Sequence, residues 1–246
     1  NRRRFMYAGV LIVLLLVLVG VPAFLFFYKA PTCFDGRKDG SEQGIDCGGA
    51  CTKLCASAFL SPSVTWTRFE EVAPHLYNVA AYVVNPNPKV GAANVPYLIT
   101  LYDAQAVPIA QVTGTMDIPA GRDTLAFKGS VSTALQTPAR ASMKLTGVPD
   151  WAYDTQPPLM VTVADQKYHE ASSSSSLIVT LQNRALVPAS SVTVFAILED
   201  KDGNAIGFSK TLIVSIAPQG TAIAPFTWPF SHGGNVVSID VLPVAE

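Results

Sequence analysis

The sequence predicts an all-β fold, with two tandem β-sandwiches behind one N-terminal transmembrane helix and a small disulfide-rich segment. Three observations lead to this prediction. Residues 5–28 carry no charged side chain, all four cysteines lie between Cys33 and Cys55, and the remainder alternates short apolar runs with turn residues. The expected order along the chain is a cytoplasmic basic flank at 1–4, the transmembrane helix at 5–28, a cysteine-rich juxtamembrane segment at 29–56, a first sandwich at 57–152, a linker at 153–158 and a second sandwich at 159–246.

The N-terminal apolar stretch is long enough to cross a bilayer. At about 1.5 Å rise per residue, a helix over residues 5–28 spans a hydrocarbon core of about 30 Å. A cleaved signal peptide is the alternative, but its apolar core is about 7–15 residues long and ends in small residues. This stretch is longer and ends in the aromatic sequence FLFFY at residues 24–28. We therefore expect an uncleaved anchor in contact with the lipid bilayer.

Charge gives the direction of insertion and excludes some functions. Residues 2–4 are all arginine, and the positive-inside rule places them in the cytoplasm. Residues 30–246 are then extracytoplasmic. The chain has 17 Lys+Arg against 18 Asp+Glu, so no net basic field favours nucleic acid as a partner.

The cysteines predict disulfides. They are Cys33, Cys47, Cys51 and Cys55, an even number clustered in a segment expected outside the cytoplasm. The sequence leaves their pairing open. A zinc site with four thiolate ligands is the alternative, but the spacing lacks C-x-x-C pairs and an oxidising compartment disfavours free thiolates.

The same segment contains a candidate calcium site. Its four carboxylates are Asp35, Asp39, Glu42 and Asp46, and glycines punctuate them. Carboxylate oxygens at short intervals on a kinked loop can coordinate Ca²⁺, although the spacing is not that of an EF-hand. A polar loop held by disulfides, without any ion, is the alternative.

Residues 33–51 also resemble a short motif of bacterial surface proteins, C-x-D-G-x-x-N-G-x-E-x-G-x-D-C-G-G-x-C. Asp39 stands where that motif has Asn. The resemblance implies a cell-surface or juxtamembrane location and no particular activity.

The rest of the chain contains an internal repeat of 97 to 99 residues. Its two copies match at Asn85 and Asn183, Asp103 and Asp200, Ile109 and Ile206, Pro119 and Pro218, and Phe127 and Phe226. Matches in the same order at nearly constant spacing predict two homologous domains.

Each copy has the pattern of an immunoglobulin-like sandwich. In the second copy, the alternate residues Val192, Val194, Ala196 and Leu198 predict one buried strand face. Residues 200–204, DKDGN, predict a hairpin turn. Short strands with frequent turns are typical of such sandwiches, and residues 154–158, DTQPP, read as a short, semi-rigid linker.

The strand end Leu101-Tyr102-Asp103 resembles the FxLYD family, with Ile99 in place of the Phe. The resemblance implies small β-sandwich modules on exported or membrane-anchored bacterial proteins, without known catalysis. Physically, the motif predicts an inward Leu, a half-buried Tyr and an Asp that starts a turn.

No catalytic or cofactor-binding residue is predicted, and we expect a protein that is not an enzyme. His75, His169 and His232 are far apart and are expected on the surface, no P-loop, G-x-S-x-G or H-E-x-x-H motif occurs, and residues 172–176 are a serine run expected to form a loop.

The predicted function is to present the two sandwiches outside the membrane for protein binding, adhesion or scaffolding. The expected partner is an envelope protein or a cell-surface ligand. An accessory or assembly subunit of a larger membrane complex is the alternative, and an enzyme with an interdomain site is a remote one.

Overall fold

The computed structural model describes residues 2–154 and 159–245 and confirms the predicted fold class. An N-terminal helix precedes strands that form four antiparallel sheets. Residues 155–158, which make up most of the predicted linker, lie outside the described residues. By its internal contacts the chain divides into Asn1–Lys53 and Leu54–Glu246.

The N-terminal helix is continuous but changes its winding. Helix α1, Arg2–Leu15, leads through a π-helical turn, Leu16–Gly20, into helix α2, Val21–Phe27. Pro22 lies in the first turn of α2, and its missing N–H explains why the regular hydrogen-bond pattern is interrupted just before it. The helix Arg2–Phe27 is 26 residues long and contains an 18-residue stretch with a mean hydropathy of 3.1, which suits a membrane anchor and equally a signal sequence.

The first sandwich follows a 3₁₀ turn at Ala56–Ala58. Its strands are β1 Ser63–Ala73, β2 Leu76–Val84, β3 Val90–Tyr102, β4 Pro108–Ile118, β5 Thr124–Ser132, β6 Arg140–Leu145 and the short β7 Ala152–Tyr153. One sheet has the order β1-β2-β5, and the other has the order β4-β3-β6 with β7 paired to β3. Fully buried side chains such as Val79, Ile99 and Leu101 fill the space between these sheets.

The second sandwich repeats this arrangement. Its strands are β8 Val161–Glu170, β9 Ser175–Asn183, β10 Ala189–Glu199, β11 Ala205–Ile216, β12 Thr221–Trp228 and β13 Ser238–Ala245. The sheets have the orders β12-β9-β8 and β11-β10-β13. The predicted face of β10, formed by Val192, Val194, Ala196 and Leu198, is buried between them. The serine run does not form a loop throughout, because its last two residues begin β9 and Ser175 is buried.

A third apolar cluster lies between the two sandwiches, which the sequence did not predict. The outer face of sheet β1-β2-β5 packs against the outer face of sheet β11-β10-β13. The buried members of this cluster are Ala80, Leu125, Phe195, Ile197, Phe208 and Val244. The rings of Phe127 and Phe208 meet edge to face across the boundary, with centroids 6.4 Å apart. The strands of Leu54–Glu246 therefore form four stacked layers with three apolar interiors.

Two pairs of repeat residues make equivalent bonds. The side-chain amide of Asn85 donates to the carbonyls of Val90 and Pro119, both at 2.8 Å. Asn183 likewise bridges two loops, donating to Val187 at 2.8 Å and to Ala217 at 3.2 Å. Each buried amide thus holds a strand connection against the hairpin next to it.

The aspartates make the same turn in both sandwiches. Asp103 Oδ1 accepts the amides of Gln105 and Val107 at 2.9 and 2.8 Å. Asp200 Oδ1 accepts those of Asp202 and Asn204, both at 2.9 Å. These side chains replace backbone partners in the turn, as Asp commonly does.

Two predicted matches are wrong by one residue. Asn85 binds the carbonyl of Pro119 where Asn183 binds that of Ala217, so Pro119 is equivalent to Ala217 and not to Pro218. Phe226 belongs to the interior of the second sandwich, whereas Phe127 lies on the outer face of the first, in the cluster between the sandwiches. Strand register shows the reason: Phe127 pairs with Ala80 and Pro225 pairs with Ile178, so Phe127 is equivalent to Pro225. A one-residue shift in a strand exchanges the two faces.

Candidate functional site

The four predicted carboxylates lie in one compact loop. Asp46 accepts the amides of Asp35 and Gly36, with its Oδ1 3.0 Å from the Asp35 nitrogen and its Oδ2 2.9 Å from the Gly36 nitrogen. Glu42 Oε2 accepts the amides of Asp39 at 3.3 Å and Asp46 at 3.2 Å. These bonds fold the loop back on itself, but no three of the four described carboxylates have oxygens within 4.8 Å of one another.

Glycine makes this tight fold feasible. Gly49 has φ +63°, and a Cβ there would lie 1.8 Å from the carbonyl oxygen of Ser41. Gly40 and Gly48 also have positive φ, a conformation that glycine adopts without steric cost. These three glycines therefore serve the tight chain reversals of the loop, and Gly40 is the one that lies between the acidic residues.

Asp39 is the centre of the acidic cluster. Burial, followed by the negative charges of Asp35 and Glu42, raises the pKa of the Asp39 carboxyl. Its Oδ1 is shielded from solvent and accepts no hydrogen bond. An oxygen of this kind is unusual, because buried polar atoms normally have partners. A bound cation would satisfy it.

The cysteine prediction is confirmed, because all four cysteines are disulfide-bonded and none in the described part of the chain is a free thiol. Cys33 is bonded to Cys51, with the Cα atoms 5.6 Å apart. The sulfurs of this pair lie near Glu42, but oxidised sulfur is not a thiolate ligand. The zinc alternative is therefore wrong.

His232 is not on the surface as predicted. Its side chain is 9% exposed, and its Nδ1 lies 3.0 Å from Ser175 Oγ and 3.2 Å from the Tyr168 hydroxyl. Its Nε2 packs against Gly207, where a Cβ would lie only 2.5 Å away. Burial lowers the pKa of His232, and the charge of Glu170 raises it by a smaller amount.

The polar side chains around His232 stabilise the end of the second sandwich. Glu170 accepts the Ser231 hydroxyl at 2.6 Å and the Gly234 amide at 3.1 Å. Ser175 Oγ donates to the Phe230 carbonyl at 3.1 Å, and His232 is closed off from solvent. The Ser–His contact is thus largely buried and joins the strand ends of this sandwich.

Glu70 is a buried carboxyl at the boundary between the sandwiches. It is 7% exposed, and its Oε2 accepts the amide of Phe208 from the other sandwich at 3.4 Å. Asn78 donates to its Oε1 at 3.3 Å. Burial raises the pKa of Glu70 to about 8, because these two long bonds offset little of the desolvation.

At least three open clefts occur in the described part of the β-sheet region. One of about 330 Å³ lies between the sandwiches, where its lining includes Asp117, Phe127 and Lys210. A second, of about 460 Å³, lies between β8 and β13 and is lined by residues 163–166 and 239–241. A third, of about 660 Å³, is lined by residues of both sandwiches, among them Arg122 and Leu159. The first cleft brings together one carboxylate and one ammonium group.

The Leu-Tyr-Asp stretch has the arrangement expected from its pattern. Leu101 is fully buried, Tyr102 is half-buried and Asp103 begins the turn. The guanidinium of Arg140 lies 4.6 Å from the centroid of the Tyr102 ring, a cation–π geometry. The motif therefore contributes to packing and turn formation.

Comparison with known proteins gives no family. No family model matches the chain, and no curated protein matches it. Solved structures that match include a Bacteroides fragilis protein assigned as a β-galactosidase, with 11% identity over 71% of this chain and a TM-score of 0.24. A red sea bream transglutaminase matches with 13% identity over 75% of this chain and a TM-score of 0.26.

A β-glucuronidase of glycoside hydrolase family 2 also matches, with 8% identity over 72% of this chain and a TM-score of 0.26. The chain spans 33%, 30% and 24% of the lengths of these three proteins. These similarities carry no argument about activity, and the FxLYD resemblance stays a prediction.

Sequence reasoning missed the burial of Glu70 and of His232. Glu70 and His232 lie in segments where the order of apolar and polar residues gives no sign of a buried ionisable group. Their burial depends on packing between segments that are distant in sequence. For His232, the one available signal was Gly207 within a strand pattern, since such a glycine often marks close approach of another group.

Proposed function

We propose that this chain is a single-pass, membrane-anchored protein of a bacterial envelope. Its two β-sandwiches act outside the membrane in protein binding, adhesion or scaffolding. The N-terminus is cytoplasmic and residues 30–246 are extracytoplasmic. The resemblances to the bacterial surface motif and to the FxLYD family are consistent with this location.

The observation that carries the proposal is the pairing of a membrane-length helix with oxidised cysteines. The helix Arg2–Phe27 follows the positive-inside rule at its arginine-rich start. The Cys33–Cys51 disulfide comes soon after its end, and disulfides persist in oxidising compartments. Arginines on one side and disulfides on the other indicate the same direction of insertion.

The sandwiches themselves favour binding over catalysis. The Ser–His contact is largely buried, and the buried Glu70 accepts a backbone amide across the boundary between the sandwiches. Loops and strand edges on a rigid scaffold are the usual binding elements of such domains. The accessory-subunit alternative rests on the same features and differs only in the identity of the partner.

Protease accessibility in intact cells tests the topology. Added protease is expected to degrade residues 30–246 while sparing a tag fused before Asn1, and the mature chain should retain the apolar stretch at its N-terminus. A mature chain that begins after residue 28, or β-sandwiches protected until the membrane is opened, would contradict the anchor.

Purification from mildly solubilised membranes tests the binding role. A surface-binding protein should come away without stoichiometric partners and should attach to a surface ligand. A constant set of membrane proteins in fixed ratio would instead support the accessory-subunit alternative.

We propose Ca²⁺ binding by Asp35, Asp39, Glu42 and Asp46 as a second candidate function. The favouring observation is the shielded, unpartnered Asp39 Oδ1 beside three further carboxylates. Calcium should raise the unfolding temperature of the loop and reduce its proteolysis, and Asp39→Asn should abolish both effects. Asp165→Asn, at an exposed position of strand β8, is the matched control. Equal responses with calcium and with chelator would remove this function.

A further inference from the structure

Strand β8 has one free edge in the part of the chain that the structure describes. It pairs on one side with β9 and occupies the outer position of the sheet β12-β9-β8. Residues 163–167 in its middle are all exposed. An edge strand of this kind presents unpaired backbone N–H and C=O groups that can pair with another strand.

The two sandwiches differ at this edge. In the first, the equivalent strand β1 approaches β6, which closes the seam between the sheets. In the second, β8 and β13 approach each other over a much shorter stretch, and the cleft of about 460 Å³ lies between them. The free side of β8 is therefore accessible to a strand from outside the molecule.

The charges on β8 are arranged to complement a second copy of the same strand. Asp165 and Lys167 point to the same face of the sheet, since they pair with Thr180 and Ile178 on the outer face of β9. Their side chains are 54% and 78% exposed and form an ion pair within the strand, with Lys167 Nζ 3.4 Å from Asp165 Oδ2. A second copy would extend this pair into a network of four charges. Adjacent same-face positions thus carry opposite charges, with Gln166 between them.

Symmetry limits the registers that such a pair can adopt. Two antiparallel copies of one strand, related by a two-fold axis through the sheet, are centred on one residue that faces itself. A centre at Asp165 or at Lys167 places like charges opposite each other, which is unfavourable. A centre at Gln166 places Asp165 opposite Lys167 of the second copy, twice.

We propose that two copies of this chain associate through β8, antiparallel and centred on Gln166. The two three-stranded sheets then become one six-stranded sheet. The bulge between Val163 and Asp165 restricts the regular ladder to a few residues. The association is accordingly weak and depends on a high local concentration of copies, such as a membrane provides.

Cysteine cross-linking of the full chain in membranes tests this association. The native cysteines are all oxidised, so Gln166→Cys adds a single thiol at the proposed centre. Mild oxidation should convert most of this variant to a dimer on a non-reducing gel. Ile223→Cys, exposed on another strand of the same sheet, should remain mainly monomeric.

Charge exchange distinguishes the proposed register from random collision. In the Gln166→Cys background, Asp165→Lys and Lys167→Asp should each reduce the dimer several-fold. The double exchange Asp165→Lys with Lys167→Asp should restore it. Both positions are exposed, so folding should be unaffected, which the unchanged unfolding temperature of each variant would verify.

Each other result overturns the proposal. Equal cross-linking of the Gln166→Cys and Ile223→Cys variants would indicate collision only. Dimer insensitive to the charge exchanges would exclude this register, and cross-links only to other proteins would show that β8 pairs with a different partner. Failure of the membrane topology tests would leave the β8 result unaffected, because the cross-link can also be measured on the detergent-solubilised chain at high concentration.

Discussion

Sheet β4-β3-β6 of the first sandwich and the equivalent sheet β11-β10-β13 of the second differ in their outer faces. On β10 and β11, Ile197 and Phe208 are buried against the first sandwich. At the equivalent positions on β3 and β4, Thr100 and Gln111 lie opposite each other as a polar pair. The turn residues Asp103 and Asp200 fix this equivalence. The backbone is alike in both cases, so the association of the sandwiches depends on a few side chains of one face.

The largest effect is expected from truncation of Phe208, an aromatic side chain of the apolar cluster between the sandwiches. Phe208→Ala removes a fully buried ring from the cluster between the sandwiches, and such changes cost about 3–5 kcal/mol. The free energy of unfolding, measured by urea denaturation and tryptophan fluorescence, should fall by that amount. Gln111→Ala, at the matched exposed position, should change it by no more than about 0.5 kcal/mol. Similar losses for both would show that the boundary between the sandwiches contributes little.

Removal of the bridging amides should have equal effects in the two sandwiches. Asn85→Ala and Asn183→Ala each leave buried carbonyls without a donor, at a cost of about 1–3 kcal/mol. Denaturant midpoints of the two variants should fall by comparable amounts. A loss confined to one sandwich would mean that the two asparagines are not equivalent.

The boundary between the sandwiches should also respond to pH through Glu70. Its pKa is raised from 4.5 to about 8 in the folded chain, so the folded state holds a proton that the unfolded state releases. This contribution to stability is complete below pH 4.5 and is lost as the pH rises toward 8.

Glu70→Gln should remove that dependence. Since one pKa unit corresponds to about 1.4 kcal/mol, the difference should be measurable in unfolding curves taken between pH 5 and 9. The variant should be more stable than the native chain at the alkaline end, with Glu71→Gln as the neighbouring control. Parallel pH profiles for the native and Glu70→Gln chains would contradict the burial of a protonated carboxyl.

The smallest effect is expected at the matched turns. Asp103→Ala and Asp200→Ala each remove two hydrogen bonds to exposed backbone amides. Because water can replace these bonds, we expect a loss of about 0.5–1.5 kcal/mol from each. Thermal unfolding should show similar decreases in unfolding temperature for the two variants. Cross-linking through β8 should be unchanged in both.

Local patterns predicted the strands, the turns and the disulfides well. Alternation in β10 and the Asp-led turns depend on residues close in sequence, so their signals are complete within a few positions. The apolar helix and the clustered cysteines are equally local. The Leu101 and Asp103 roles followed from the same short pattern.

Packing between distant segments could not be predicted in this way. Phe208 and Phe127 look like ordinary strand residues, and only the stacking of the two sandwiches shows that they meet. The misplaced match of Phe127 with Phe226 has the same cause, because similar side chains in a one-residue shift belong to opposite faces. The acidic loop was predicted as a cluster, yet the shielding of Asp39 depends on the three-dimensional turn.

The apolar cluster between the sandwiches has a consequence for synthesis and export. The chain emerges from its N-terminal end, and the first sandwich is complete once β7 has appeared. Its outer face, which includes Ala80, Leu125 and Phe127, stays exposed until residues 195 to 244 have been synthesised and can cover it. During this interval the incomplete chain exposes an apolar sheet face to solvent. Chaperones that shield nascent chains should therefore be engaged longest at this stage, and translation arrest between β7 and β10 should yield the most aggregation-prone fragments.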